Sequence, residues 1–155
     1  MASSLYVTAE GYAVLNNELN ARWQRRRDVV KALSAAAAEG DRSENAEDIY
    51  RKKELREIDR RIRYLQKRLP DLKVIDQTPD DPERIFFAAW VTVETEQGNE
   101  HEYRIVGPDE IDASKGYISI DSPLARQLLG KTVDDEVVIH VAEQKKTYYV
   151  LGIRY

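Results

Sequence analysis

The 155-residue chain contains no cysteine, which removes disulfide frameworks and thiolate zinc sites from consideration. Histidine is nearly as scarce. The two, His101 and His140, stand far apart in sequence without a nearby ligand set, and both are read as ordinary strand or surface residues. No run of about 18 consecutive apolar residues occurs, so a membrane-spanning helix is not expected. Residues 1–8 lack a basic stretch followed by an apolar core, and the default expectation is a cytoplasmic location with no membrane partner. Proline and glycine number only 5 and 7, and residues 12–37 contain neither. What remains is 34% charged and 42% apolar, the balance of an ordinary folded chain long enough for two small domains.

Net charge is only -4, but it is unevenly placed. Residues 1–72 carry 15 Lys and Arg against 12 Asp and Glu, whereas the remainder carries 9 against 16. A sign difference of this kind speaks to the charge of partners, not to fold.

The break-free stretch has apolar or long-stemmed residues at Tyr12, Leu15, Leu19, Trp23, Arg26, Val30, Leu33 and Ala37. Steps of three and four predict a long amphipathic helix with a narrow seam, the kind that packs on one partner helix. Thr8 is placed to cap its start, and Gly40 to end it. A second seam, Leu55, Ile58, Ile62, Leu65 and Leu69, closes at Pro70. So short a connection predicts an antiparallel pair, each arm about 40 Å long at about 1.5 Å per residue.

From residue 73 the pattern changes to short β-type runs at 73–76, 85–94, 100–107, 117–120, 136–142 and 147–155, with turn signals at 97–99, 107–109 and 143–146. Ser122, Pro123 and Gly130 bracket one small helix as cap, first turn and terminator. Residues 78–82, with Pro79 and Pro82, are the best linker. The expected fold class is α+β: an N-terminal antiparallel α-helical coiled-coil hairpin over 1–76, then a β-sheet domain with one short helix over 77–155. Phe86, Phe87 and Trp90 are assigned to the sheet core.

Two features carry candidate chemistry. Between the helices the chain reads Gly40-Asp41-Arg42-Ser43-Glu44-Asn45-Ala46, and Asp41 with Glu44 three residues later forms a capping box that would stabilise the second helix by about 0.5 to 2 kcal/mol. The same spacing sets two carboxylates about 5 to 6 Å apart at Cβ, close enough to share one cation. Mg²⁺ is commonly held by one or two carboxylates plus water and phosphate oxygens, so the pair suits half of a site that a partner completes. Behind it the second helix carries Arg51, Lys52, Lys53, Arg56, Arg60, Arg61, Arg63, Lys67 and Arg68. These read either as a solvated face neutralised by Glu54, Glu57 and Asp59, or as a grip on a phosphate backbone that ignores base sequence.

Three segments in order, residues 40–46, residues 55–65 and Tyr117-Ile118-Ser119-Ile120-Asp121-Ser122-Pro123-Leu124-Ala125-Arg126, resemble the bacterial transcript cleavage factors called Gre. Arg42-Ser43 and the arginine density of the second helix resemble the GreB type more than GreA. The likeness covers nearly the whole chain.

The resemblance implies that the C-terminal domain is an FKBP-like antiparallel sheet that docks at the secondary-channel rim of bacterial RNA polymerase, while the hairpin passes down the channel. Asp41 and Glu44 would then help hold a catalytic Mg²⁺ shared with the polymerase and assist cleavage of backtracked RNA. The factor is accordingly expected to be a monomeric activator of the polymerase's own endonuclease, not an enzyme. Lys52, Lys53, Arg56, Arg60 and Arg61 are expected to contact the nascent RNA 3′ end, and Asp121, Ser122 and Pro123 to bind polymerase. An FKBP-like fold does not bring prolyl isomerase activity with it. This chain departs from the family at Asp48, where relatives commonly have tyrosine; its own Tyr50 stands two positions later. Two other functions compete: a secondary-channel regulator that does not promote cleavage, and a coiled-coil adaptor, for which an apolar tip would be expected.

Overall fold

The computed structural model describes residues 3–38 and 46–155. Helix α1 spans Ala9–Ala38 and helix α2 spans Ala46–Arg68. Thr8 caps α1 as expected, its hydroxyl accepting the Gly11 N–H at 3.0 Å. The capping box of Asp41 and Glu44 lies outside the described residues.

The two helices run antiparallel, as their cross-pairs show: Glu18 meets Arg61, Arg25 meets Glu54 and Arg26 meets Asp59. Between them Val29, Ile58 and Ile62 are buried, flanked by Leu19, Trp23, Leu33 and Leu55. The α2 seam follows the expected positions. On α1 the buried valine is Val29 where the periodicity pointed to Val30, because 14 residues after the buried Leu15 the helix has returned to within about 40° of the same direction, whereas 15 residues overshoot it by about 60°. Burying a branched aliphatic side chain contributes roughly 1.5–3 kcal/mol, so this small cluster is what keeps two charged helices together.

The other elements are short strands: β1 Tyr6–Thr8, β2 Lys73–Ile75, β3 Trp90–Thr95, β4 Glu100–Val106, β5 Tyr117–Ser119, β6 Glu136–Val141 and β7 Gln144–Arg154, with helix α3 at Pro123–Leu128. Five of them form one sheet in the order β5-β4-β3-β7-β6. It is antiparallel through β4, β3, β7 and β6, and mixed at one edge, where β5 runs parallel to β4. Two 3₁₀ turns, Pro108–Glu110 and Ala113–Lys115, turn the chain back for that parallel return. The core lies on one sheet face: Val91, Val93, Ile105, Val137, Ile139 and Val150 pack with Ala125 and Leu128 of α3.

Four local expectations need correction. Strand β3 begins at Trp90, not residue 85, because Phe86–Ala89 forms a turn, with the Ala89 N–H donating to the Phe86 carbonyl at 3.1 Å and Ala88 at φ 74°. Trp90 lies on the face away from the core, stacked under Arg154 at 4.5 Å and Arg104 at 5.5 Å, its register partners on β7 and β4. Phe86 is exposed, and of the three aromatics assigned to the core only Phe87 is buried. The β6–β7 turn is Ala142 and Glu143 alone, at φ 51° and 64°, so β7 starts earlier than a Gly-free sequence suggested.

Strand β1 was not expected. It pairs in parallel with β2, and the Lys73 N–H also donates to the Leu5 carbonyl at 2.8 Å. The chain divides into two compact units, Met1–Gly11 with Leu72–Tyr155, and Tyr12–Asp71. Residues 3–11 and 72–76, placed with the hairpin on sequence grounds, therefore group with the sheet.

Candidate functional site

On α2 the side chains at Lys52, Arg56, Arg60, Arg63 and Lys67 follow steps of four, four, three and four and are all exposed, with Lys53 beside them. They occupy the helix face opposite the buried Ile58, Ile62 and Leu65. Glu54 and Asp59 turn toward α1, where Arg25 and Arg26 take them up at 2.8 and 2.7 Å, and the exposed Glu57 stands to one side of the line, four residues after Lys53. Among the described residues Lys53, Arg56, Arg60, Arg63 and Lys67 enter no ion pair. The stripe is about 22 Å long at about 1.5 Å per residue. Lined-up cations of this kind suit a phosphodiester backbone.

Four of the five residues assigned to RNA, Lys52, Lys53, Arg56 and Arg60, are thus brought together. Arg61 is not among them. Its guanidinium faces α1 and makes a two-pronged pair with Glu18, at 2.7 and 2.9 Å, while stacking over Tyr64 at 5.1 Å. Arg61, and secondarily Arg22, hold the Glu18 carboxyl below its ordinary range. Arg25 does the same to Glu54. Arg63 and Lys67 take the place that Arg61 was expected to fill, and the α-helical period alone, counted from Lys52, would have found them.

Asp41 and Glu44 lie outside the described residues. Among the described residues no three His, Cys, Asp or Glu side chains converge to hold a metal ion. As hard oxygen donors, Asp41 and Glu44 fit Mg²⁺ chemically, but two carboxylates leave most of an octahedral shell to water, phosphate and a partner. At the start of α2, Asp48 Oδ1 sits 3.5 Å from the Arg51 guanidinium, an attraction within one helical turn.

The three residues assigned to polymerase form a built corner of the sheet unit. Ser122 caps α3, its Oγ accepting the Ala125 N–H at 3.2 Å, and Pro123 fills the first helical position. The Asp121 N–H donates to Ser119 Oγ at 3.0 Å, and the Asp121 carboxylate accepts the Ser4 N–H at 2.9 Å.

Comparison with known proteins matches residues 5–74 to the family model "Transcription elongation factor, N-terminal" and residues 79–155 to "Transcription elongation factor, GreA/GreB, C-term". The chain belongs to the GreA/GreB family of transcription elongation factors. Curated relatives 47 to 56% identical to it are of the GreB type. Transcription elongation factor GreB of Yersinia pestis is 55% identical, with 100% of this chain and 91% of that protein covered. GreB of Xanthomonas axonopodis pv. citri is 56% identical over 99% and 92%. Among solved structures, that of Thermus aquaticus Gfh1 is 24% identical, covers 99% of this chain and 100% of that one, and has a TM-score of 0.46. The GreB-type chain thus carries two separate surfaces: a cationic stripe on the helical unit and a capped corner on the sheet unit. No helix of the described residues is long and apolar enough to cross a membrane.

Proposed function

We propose that this GreB-type factor binds bacterial RNA polymerase at the rim of the secondary channel and stimulates the polymerase's intrinsic cleavage of backtracked nascent RNA in the cytoplasm. The observation that carries the reading furthest is the exposed cationic stripe of Lys52, Lys53, Arg56, Arg60, Arg63 and Lys67 on α2, the helix that begins just after Asp41 and Glu44. A strand held by its phosphates along that face keeps its bases unread, as required of a factor that must act on any transcript.

In this reading the division of labour follows from the residues. The corner of Asp121, Ser122 and Pro123 meets the polymerase. The stripe contacts the RNA 3′ segment by charge. Asp41 and Glu44 would hold Mg²⁺ jointly with polymerase carboxylates. When bound, such an ion stabilises negative charge on the attacking and leaving oxygens of phosphodiester hydrolysis. The chain's own two acids supply only part of a coordination shell, which supports an activator of the polymerase's endonuclease over a free-standing nuclease.

The test is a defined backtracked elongation complex in Mg²⁺. Adding the factor is expected to release a 3′ RNA fragment and restore extension, whereas the factor with free RNA leaves the RNA intact. If initiation or pausing changed while the transcript stayed uncut, the non-cleaving channel regulator would replace this reading.

A further inference from the structure

The Asp121 carboxylate does not simply face outward. The loop carrying it is already fastened by backbone bonds, with Ile120 N–H donating to the Val106 carbonyl at 2.8 Å and Ser122 N–H to the Ser119 carbonyl at 2.9 Å. What the side chain adds is a reach across 117 residues of sequence to the Ser4 N–H at 2.9 Å. That bond is charge-assisted, the stronger class of hydrogen bond. Ser4 in turn accepts the Tyr6 N–H on its hydroxyl at 3.1 Å, and the next carbonyl, that of Leu5, accepts the Lys73 N–H at 2.8 Å. Residues 4–6 are therefore held from two sides, by β2 and by Asp121. Along this strap Val7 is fully buried while Leu5 and Tyr6 remain 36% and 40% exposed. Tyr6 is partly occupied, its ring edge-on to Phe87 at 5.6 Å. Leu5, next to the clipped Ser4, presents an aliphatic side chain to solvent.

We propose that Asp121 serves polymerase docking as a positioning residue: its carboxylate clips the N-terminal strap beside the cap of α3, so that the docking surface is built from both segments and includes Leu5. This rests on the docking role proposed above for the corner. It differs from a direct ion pair with polymerase in what the side chain must supply, an acceptor oxygen instead of a negative charge.

The test measures the affinity of full-length variants for bacterial core RNA polymerase, together with hydrogen exchange of the Ser4 amide. Asp121→Asn keeps a carbonyl oxygen, a weaker acceptor than the carboxylate, and is expected to bind more tightly than Asp121→Ala and less tightly than the parent, with the Ser4 amide still protected. Asp121→Ala removes the acceptor, and both binding and Ser4 protection are expected to fall about tenfold or more, the scale of one lost hydrogen bond to a charged group. Leu5→Ser is expected to weaken binding with the Ser4 amide still protected. If Asp121→Asn bound as poorly as Asp121→Ala while keeping Ser4 protected, or if Leu5→Ser bound like the parent, the clip would be overturned and docking retained. If the parent chain itself failed to bind polymerase, both would fall, although loss of Ser4 protection in Asp121→Ala would still establish the bond.

Discussion

A glycine in the first turns of a long helix is usually a weak point, about 1 kcal/mol worse than alanine. At Gly11 the sign reverses. A Cβ there would lie 2.0 Å from Glu110 Oε1. Glu110 cannot simply swing aside, because Oε2 accepts the Thr8 N–H at 3.1 Å and the Gly107 N–H at 2.7 Å, and Oε1 accepts the Thr8 hydroxyl. Gly11→Ala is therefore expected to destabilise the protein by about 1–3 kcal/mol, the cost of leaving such donors unsatisfied. Thermal denaturation measures this, and an unchanged or raised melting temperature would contradict it. At this scale the sequence was half legible. Thr8 could be recognised as a cap from its chemistry and place, but its partner Glu110 is 102 residues away and no local pattern points to it.

The paired helices obey simpler rules. The α2 seam could be read from its spacing, since burial of Ile58, Ile62 and Leu65 repeats with the helical period. Assigning cations to RNA was harder, because a residue's role depends on which third of the helix it occupies, and Arg61 lies on the flank that meets Glu18. Two predictions follow from this division. Glu18 is held below its ordinary range by Arg61 first and Arg22 second, so the stabilisation it gives is present above the unfolded carboxylate value, about 4.3, and lost as pH falls below it. For a partly exposed pair the amount is about 1 kcal/mol or less. Glu18→Gln is expected to flatten that acid-side loss in a pH series of melting temperatures; an identical slope would contradict the role. In contrast, Arg56→Ala combined with Arg60→Ala is expected to leave the fold intact. It is expected to lower the slope of log affinity against log salt for single-stranded RNA by roughly 0.7 per residue. An unchanged slope would remove these two from the RNA contact.

For the molecule as a whole, the change from helical to strand periodicity near residue 73 was enough to read a helical unit followed by an α+β sheet unit. The strap of β1 was hidden because three residues carry too little pattern to mark a strand, and its partner β2 is equally short. Pairing them moves the chain start to the sheet unit, next to the corner that also caps α3. Under the proposed function, the capped corner on the sheet unit holds the factor on polymerase and the cationic stripe on the helical unit contacts RNA. The central claim is that Asp41 and Glu44 complete a reaction centre belonging to the polymerase. Its most direct test is the rate of transcript cleavage in a backtracked elongation complex with the double variant Asp41→Asn and Glu44→Gln. Cleavage is expected to fall to the level of polymerase alone while affinity for polymerase stays at the parental value. Parental cleavage rates in that variant would contradict the account.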